Sequence, residues 1–421
     1  MCRKTIDSLQ RIVKRALARK PIVLLMGFLL LMLGSWIRWT LRDLPSIDSE
    51  EFLVPWYHEI KNGGGVYYLG HQVGDYNILY QTLIALFTYV PMRPLYAYKL
   101  LSCCFDGLLA VLVACLVYRM AKKHRLLYAL AVFGLVYLSP IVLFNSAWWG
   151  QCDAIYTFFG IAAYCCLMKQ RDAAAFLLYG VSITFKLQAI FLMPVFLFTV
   201  FCRQKRHLLY ILLIPVVMVA LSAAGLVFGR SVTEVFTIYL EQTNSYLSPA
   251  LNYPSVWGLV SDAGHLLNYL GGKEIVSSAA LYHIVKYPAI LLAVAVLAGY
   301  MFVWMRKKVT FSPQNMLIMA FVLTYTCVIL LPAMHERYGY LYEILSLVLV
   351  LFYPRLTGWV ILLHGVTLCT YLHFLTNCYV VPIAVLSVLN IVAYLVTVRY
   401  LCRQLFAECD RSNPSLTLVD R

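Results

Sequence analysis

The stretch that decides the fold is residues 21–39, PIVLLMGFLLLMLGSWIRW, in which Arg38 is the only charged residue. A helix that crosses the hydrocarbon core of a bilayer needs about 20 mostly apolar residues, and this run has that length. A basic segment precedes it, but the run is too long for the apolar part of a signal peptide and lacks a small-residue cleavage site. The sequence therefore predicts a retained first membrane span, with the basic residues before it on the cytoplasmic side.

The composition extends this prediction to the whole chain. The 421 residues are 62% hydrophobic and only 13% charged, with a mean hydropathy of +0.78, whereas soluble domains carry about 25% charged residues. The apolar runs are long and continuous, and they do not alternate as the strands of a membrane barrel do. These properties exclude an ordinary soluble protein and predict an all-α, polytopic membrane protein.

The net charge of +15 follows from membrane topology. The lysines and arginines lie in short clusters between apolar runs, such as 119–125, 203–206 and 306–308, which is typical of cytoplasmic loops. We therefore expect contacts with membrane lipids and no nucleic-acid partner. The 13 cysteines are scattered through apolar runs without CxxC pairs or metal-ligand spacing. Neither a disulfide framework nor a metal cofactor is predicted.

Placing the basic clusters on one side of the membrane gives about 12 spans with both termini inside. An amphipathic stretch at 78–90 is too short for a span, and we expect it to lie on the outer surface as an interfacial helix. The predicted organisation is a cytoplasmic basic N-terminus (1–20), a transmembrane domain (21–403) with large external segments at about 42–93 and 229–284, and a cytoplasmic tail (404–421).

Several charged residues stand at the ends of spans, on the face opposite the basic loops. Asp48 is either a solvated loop charge or a general base in a half-enclosed cavity. Asp75 could cap the helix that follows it and could also bind hydroxyl groups of a ligand, since the two roles are compatible. Lys186 either extends to the interface or contacts a phosphate. Lys99 and Asp106 lie within the second span, where they either pair with each other or serve a cavity.

Two denser clusters lie on the same face. The run WWGQCD at 148–153 precedes a span; an interfacial aromatic belt accounts for its tryptophans but not for Gln151 and Asp153. The run HERY at 335–338 follows a span, and its arginine is suited to bidentate phosphate binding. Zinc is not expected at His335, because no second His or Cys stands at ligand spacing.

Five segments carry a resemblance to a known superfamily. They are Asp48 with Pro55-Trp56, Asp75-Tyr76 with Tyr80, Asn145-Ser146 with Trp149 to Asp153, Phe185 to Gln188, and Met334 to Tyr338. Together they resemble the GT-C superfamily of membrane glycosyltransferases over roughly the whole chain. The likeness is to bacterial mannosyltransferases related to the second GPI mannosyltransferase, and it extends to the dolichyl-phosphate-glucose-dependent glucosyltransferases. One departure lies at 77–78, where Asn-Ile replaces the two prolines that usually follow the Asp-Tyr pair.

The resemblance implies a GT-C fold and an inverting transfer of a hexose, mannose or glucose, from a polyprenyl-phosphate sugar. The acceptor would be a lipid-linked glycan or a cell-surface polymer, on the external face of a bacterial inner membrane, with no cofactor. It makes Asp48 the general base and Arg337, His335 and Lys186 the ligands of the donor phosphate. It assigns sugar or acceptor binding to Asp75, Trp149, Gln151, Asp153, Glu336 and Tyr338, with the ring of Trp149 as a stacking face.

A transporter or flippase of a lipid-linked saccharide is the alternative. Polar residues in membrane helices also mark transport paths. Transporters place such residues near the middle of the membrane, often on broken helices in two related halves. Here the polar residues lie at one end of the spans, on the side of the large external segments, and this distribution favours the enzyme.

Overall fold

The computed structural model describes residues 20–242, 246–271, 277–378 and 381–412. Almost all of the predicted basic N-terminus and the last nine residues of the predicted tail lie outside these ranges. The α-helices are α1 (Lys20–Leu41), α2 (Val54–Asn62), α3 (Ile78–Phe87), α4 (Pro94–Met120), α5 (Arg125–Tyr137), α6 (Pro140–Leu143), α7 (Asp153–Met168), α8 (Asp172–Phe185), α9 (Met193–Arg203), α10 (Leu213–Leu221), α11 (Ala223–Val227), α12 (Glu234–Gln242), α13 (Val256–Gly271), α14 (Ser278–Arg306), α15 (Pro313–Leu330), α16 (Tyr340–Phe352), α17 (Thr357–Thr376) and α18 (Ile383–Ser412).

The protein is an all-α, polytopic membrane protein. Within the described residues, six helices are long and apolar enough to cross a bilayer: α1, α4, α14, α15, α17 and α18. A seventh span is formed if the pair Arg125–Tyr137 and Pro140–Trp149, which is bent by 46°, crosses as one unit. A helical segment occupies each of the twelve predicted spans, but several are short, and the count of twelve stays a prediction.

Short elements other than α-helices lie next to the candidate site that is described below. Two π-helices, Ser49–Leu53 and Phe144–Trp149, end next to it, and π-helical turns are frequent at functional sites. The described residues also contain one two-stranded parallel sheet, of β1 (Ala250–Leu251) with β2 (Met334–His335). This sheet joins the second external segment to the HERY cluster.

The boundaries of three predicted segments differ in the structure. Helix α3 ends at Phe87, three residues before the predicted end of the interfacial stretch. Helix α14 begins at Ser278, inside the segment expected to be external, because the hydroxyl of Ser277 accepts a hydrogen bond from Ala280 N (3.1 Å) and caps the helix. Helix α18 continues to Ser412, past the predicted start of the tail at 404.

The polar residues inside the spans have partners that the sequence did not indicate. Lys99 and Asp106 do not pair with each other. The ammonium of Lys99 donates to the carbonyls of residues 41, 42 and 44, at 2.6–3.2 Å, and thereby holds the chain that leaves α1. Asp106 instead accepts two hydrogen bonds from the guanidinium of Arg38 (2.9 and 2.8 Å) and one from the hydroxyl of Ser146 (2.5 Å).

Candidate active site

The five sequence segments meet at one cavity. Its volume is about 450 Å³. Seven of the ten predicted site residues line it: Asp48, Asp75, Gln151, Lys186, His335, Arg337 and Tyr338. These residues come from segments that are up to 290 positions apart in the chain (Asp48 to Tyr338). The cavity is therefore a product of helix packing and not of any single loop.

Asp48 stands immediately before the first π-helix, and its carboxylate is held from the opposite wall. Its Oδ2 accepts hydrogen bonds from Trp149 Nε1 (2.7 Å) and Gln151 Nε2 (2.6 Å). The hydroxyl of Ser46 also donates to the carbonyl of Trp149 (3.1 Å), which ties the two segments together. Both side-chain bonds end on Oδ2, so Oδ1 is the oxygen available to a ligand.

Arg337 is the central cation of the cavity. Its Nη1 lies 3.8 Å from Asp48 Oδ2 and 3.4 Å from Glu336 Oε1, and its Nε lies 3.9 Å from Asp153 Oδ2. Burial lowers the pKa of Arg337, but the carboxylates of Asp48 and Glu336 raise it more, so that its pKa lies well above the usual value. The guanidinium remains charged under all ordinary conditions and can bind an anion.

Lys186 provides a second cation, but it is already paired. Its Nζ lies 2.6 Å from Asp153 Oδ1, and both side chains are buried. The amide of Asn145 donates to the other carboxylate oxygen of Asp153 (2.8 Å). Because both oxygens are engaged inside the protein, Asp153 fixes the position of Lys186 and does not face the cavity.

Three predicted ligand-binding residues lie behind the cavity wall: Trp149 (0% exposed), Asp153 (0%) and Glu336 (1%). The sequence-based role of Trp149 was a stacking face for the sugar. In the structure one face of its ring stacks on Phe374 at 4.4 Å, and the guanidinium of Arg337 lies 5.3 Å from the ring centroid. The geometry favours a positioning role for these three residues, because their polar atoms hold Asp48, Lys186 and Arg337.

The small β-sheet places His335 and Glu336. His335 pairs with Leu251, and the backbone N–H of Glu336 donates to the carbonyl of Leu251 (3.1 Å). Burial, together with the nearby charges of Arg337 and Lys186, holds the pKa of His335 well below its usual range. His335 is therefore neutral at pH 7, and it can donate one hydrogen bond to a phosphate without adding positive charge.

Glu336 is a group in the site whose charge changes near neutral pH. Burial raises its pKa from 4.5 to about 7, although Arg337 opposes this rise. Its Oε1 lies 3.4 Å from Arg337 Nη1 and 4.0 Å from His335 Nδ1. The ionisation of Glu336 therefore changes the net charge beside the main cation of the cavity.

Asp75 is not a helix cap. Asn77 precedes the first residue of α3, and no side chain caps that helix end. The side chain of Asp75 lines the cavity, where desolvation by the surrounding protein raises its pKa and the charge of Arg337 opposes the rise. The backbone at Asp75 is held by Gln242 Nε2, which donates to its carbonyl (2.5 Å). The capping role is therefore wrong, and ligand binding by Asp75 stays a prediction.

Sequence reasoning did not select several residues that line the cavity. Gln242 and Tyr246 come from the second external segment, and Phe374 comes from the end of α17. The ring of Tyr246 packs edge-on against His335, with the centroids 4.9 Å apart. No motif in the sequence marks these residues, and only the packing brings them to the cavity. Among the described residues, no group of three or more His, Cys, Asp or Glu side chains is arranged to hold a metal ion.

Comparison with known proteins identifies a family for this chain. The model of glycosyltransferase family 87 matches residues 76–332, more than half of the chain. The matched region contains Gln151 and Lys186, but it begins after Asp75 and ends before His335. A comparison with curated proteins returned no match. Because the family match covers more than half of the chain, this integral membrane protein is a glycosyltransferase and belongs to glycosyltransferase family 87.

Proposed function

We propose that the protein is an inverting hexosyltransferase that uses a polyprenyl-phosphate sugar, mannose or glucose, as donor. The observation that carries the proposal is the joint placement of Asp48, Arg337 and Lys186 around one cavity. An aspartate and two cations are the groups that displacement of a lipid phosphate from a sugar requires. The donor carries its own lipid anchor, so it presents its phosphate at the depth where these helices end.

Asp48 acts as the general base. Its Oδ1 takes the proton of an acceptor hydroxyl while the hydroxyl oxygen forms a bond to the anomeric carbon. The bond from that carbon to the phosphate oxygen breaks on the opposite side, and the electron pair leaves with the polyprenyl phosphate. The configuration at the anomeric carbon is inverted. Trp149 and Gln151 hold Oδ2 and thereby orient the carboxylate for this step.

Arg337 stabilises the leaving group. Negative charge increases on the phosphate as the bond breaks, and a fixed cation in a partly enclosed cavity stabilises that charge in the transition state. Lys186 adds positive charge from the position that Asp153 sets. His335 donates a neutral hydrogen bond to the phosphate or to a sugar oxygen. Asp75, Gln151 and Tyr338 line the remaining wall, where they contact sugar or acceptor hydroxyls.

The proposed acceptor is a lipid-linked glycan or a cell-surface polymer on the external side of a bacterial inner membrane. The distribution of basic loops supports this orientation, because it places the cavity opposite the lysine and arginine clusters.

The test is a transfer assay with purified protein in nanodiscs. Polyprenyl-phosphate-mannose and polyprenyl-phosphate-glucose are offered with lipid-linked acceptors, and release of polyprenyl phosphate is measured. We expect Asp48→Asn to lower turnover by about 10²- to 10⁴-fold, the usual contribution of a general base, without a change in thermal stability. Glu51→Gln is the matched control, since Glu51 is an exposed carboxylate of the adjacent π-helix that does not line the cavity.

The outcomes separate the parts of the proposal. Release that depends on Asp48 and is unaffected by Glu51→Gln establishes the donor class, and the better donor identifies the sugar. Equal activity of Asp48→Asn and wild type would refute the assignment of the base. No release from either donor would refute the donor class.

A further inference from the structure

A second cavity of about 350 Å³ lies next to the candidate active site. Strand β1, helix α13, the end of α17 and the start of α18 surround it. Two of these elements also build the active site. Helix α17 directs Thr370 and His373 to the second cavity and Phe374 to the active site. Strand β1 pairs with β2, which carries His335.

The described residues that line the second cavity are apolar side chains, such as Ile383 and Leu386, together with several polar ones. The polar ones include the carboxylate of Asp262, the amide of Asn252 and the hydroxyls of Ser248 and Ser261. Among the described residues that line this cavity, none is lysine or arginine, whereas the active site has both. Among these described residues, a phosphate would therefore find no lysine or arginine to pair with. Carboxylate, amide and hydroxyl groups next to apolar surface instead suit an uncharged ligand rich in hydroxyl groups.

Helix capping accounts for only part of the role of Asp262. Its Oδ2 accepts a hydrogen bond from Ala384 N (2.9 Å) at the start of α18. A capping residue needs one oxygen for that bond, and Oδ1 is the oxygen that the bond does not use. A carboxylate oxygen on a cavity wall is a strong acceptor for a sugar hydroxyl.

Asn252 is held by the same sheet that positions His335. Its backbone forms a bridge to His335, and its φ of +61° lies in the left-handed region, which asparagine tolerates better than most residues. Asn252, which directly follows strand β1, therefore lines the second cavity next to the sheet that carries His335.

We propose that this second cavity binds an uncharged hexose unit of the acceptor glycan, next to the unit whose hydroxyl is glycosylated. This inference rests on the proposed function, because it identifies the acceptor as a saccharide. The two cavities share α17 and the β1–β2 pair, so an acceptor bound in one is positioned relative to the other. The cations of the active site face the donor phosphate, whereas a carboxylate, an amide and hydroxyl groups face the acceptor.

The test measures binding of methyl α-D-mannopyranoside and methyl α-D-glucopyranoside to the full chain in nanodiscs, by saturation-transfer NMR. Asp262→Asn removes the charge but keeps an oxygen that can cap α18. Asn252→Gly removes the amide but keeps a residue that accepts positive φ. We expect each variant to weaken binding of the preferred hexoside by about tenfold or more, with unchanged thermal stability. Glu59→Gln, another external carboxylate exchanged for an amide, is the control and should bind as wild type.

Saturable binding that both cavity variants weaken supports the proposal. Binding that neither variant changes would place the hexoside elsewhere and overturn the proposal, as would no saturable binding to the wild type. Release of polyprenyl phosphate by the same preparations reports on the donor separately. Binding of the hexoside without release of polyprenyl phosphate would support the second cavity and refute the donor class. Release of polyprenyl phosphate without binding of the hexoside would support the donor class and refute the second cavity.

Discussion

At the scale of single residues, the candidate site depends on side chains that hold other side chains. Asp48 is oriented by Trp149 and Gln151, and Lys186 is oriented by Asp153. Such supporting residues fix the geometry of a reacting group, and geometry contributes strongly to catalysis. Substitutions of the buried residues therefore test the site as directly as substitutions of the residues on the cavity surface.

Trp149→Phe distinguishes positioning from sugar stacking. Phenylalanine keeps an aromatic ring against Phe374 but loses the N–H that donates to Asp48. Since a hydrogen bond to a charged group contributes about 1.5–3 kcal/mol, we expect kcat to fall by about tenfold or more while the KM for the donor is unchanged. Steady-state kinetics measure kcat and the donor KM separately and thereby check this expectation. An increased donor KM with an unchanged kcat would instead point to direct contact with the sugar.

Glu336 is expected to make donor binding depend on pH. Below pH 7 its carboxyl is neutral and leaves Arg337 available to the donor phosphate; above pH 7 its charge competes with that phosphate, since burial raises the pKa of Glu336 to about 7. The donor KM of the wild type should therefore rise above pH 7, and that of Glu336→Gln should not. Identical KM profiles from pH 5.5 to 8.5 for the two proteins would contradict this role.

The same carboxyl affects stability in a defined direction. Its pKa in the folded protein lies above its usual value of 4.5. The folded state therefore binds more protons than the unfolded state between pH 4.5 and about 7. The stability that Glu336 contributes is fully present below pH 4.5 and is lost as the pH rises to about 7. Glu336→Gln should remove this part of the pH dependence of thermal unfolding.

At the scale of elements, short irregular segments connect the helices to the cavity. Both π-helices and the β1–β2 pair end at residues of the site, and helices alone would not direct these side chains to one place. The backbone at Gly74, just before Asp75, has a φ of +56° and passes close to the ring of Trp56. Glycine is required there both by conformation and by space.

Gly74→Ala tests this element. A Cβ at position 74 would lie 2.1 Å from the ring of Trp56, which lines the cavity. Left-handed strain costs about 1–2 kcal/mol and overpacking about 1–3 kcal/mol, so both stability and activity should fall. Gly299→Ala is the control, because no atom lies within 4 Å of a Cβ built in this helical position. Thermal unfolding and turnover are measured for both, and an unchanged Gly74→Ala protein would refute the close packing.

At the scale of the whole molecule, an ion pair inside the membrane domain connects the first span to the site. Arg38 on α1 binds Asp106 on α4, and Asp106 accepts from Ser146 in the second π-helix. That π-helix ends with Trp149, which holds Asp48. The first span is therefore part of the framework of the cavity and not only an anchor.

A double-mutant cycle tests this framework. Arg38→Met leaves Asp106 as a buried charge without its cation, which typically costs 3–5 kcal/mol in roughly similar buried pairs. Adding Asp106→Leu removes the remaining charge, so the double variant should recover most of the lost stability. Unfolding midpoints in detergent for the two single variants and the double variant measure the coupling. Additive losses would show that the pair is not a coupled unit.

The sequence by itself determined that the protein is an all-α, polytopic membrane protein and which residues form its polar clusters. Both depend on hydropathy and charge along the chain, which are local properties that the apolar run at 21–39 already displays. The segments around Asp48, Asp75, Gln151, Lys186 and Arg337 could be selected for the same reason. Polar residues at the ends of apolar runs are recognisable without knowledge of their neighbours.

Only the tertiary structure decided which partner each polar residue has. Lys99 binds carbonyls while Asp106 pairs with Arg38, and Trp149 is buried behind the cavity that it was expected to face. These outcomes depend on how helices that are distant in the chain pack together, and packing fixes the distances and the burial on which pairing and pKa depend. The neutral state of His335 follows from its burial beside two cations, which no property of its own segment reveals.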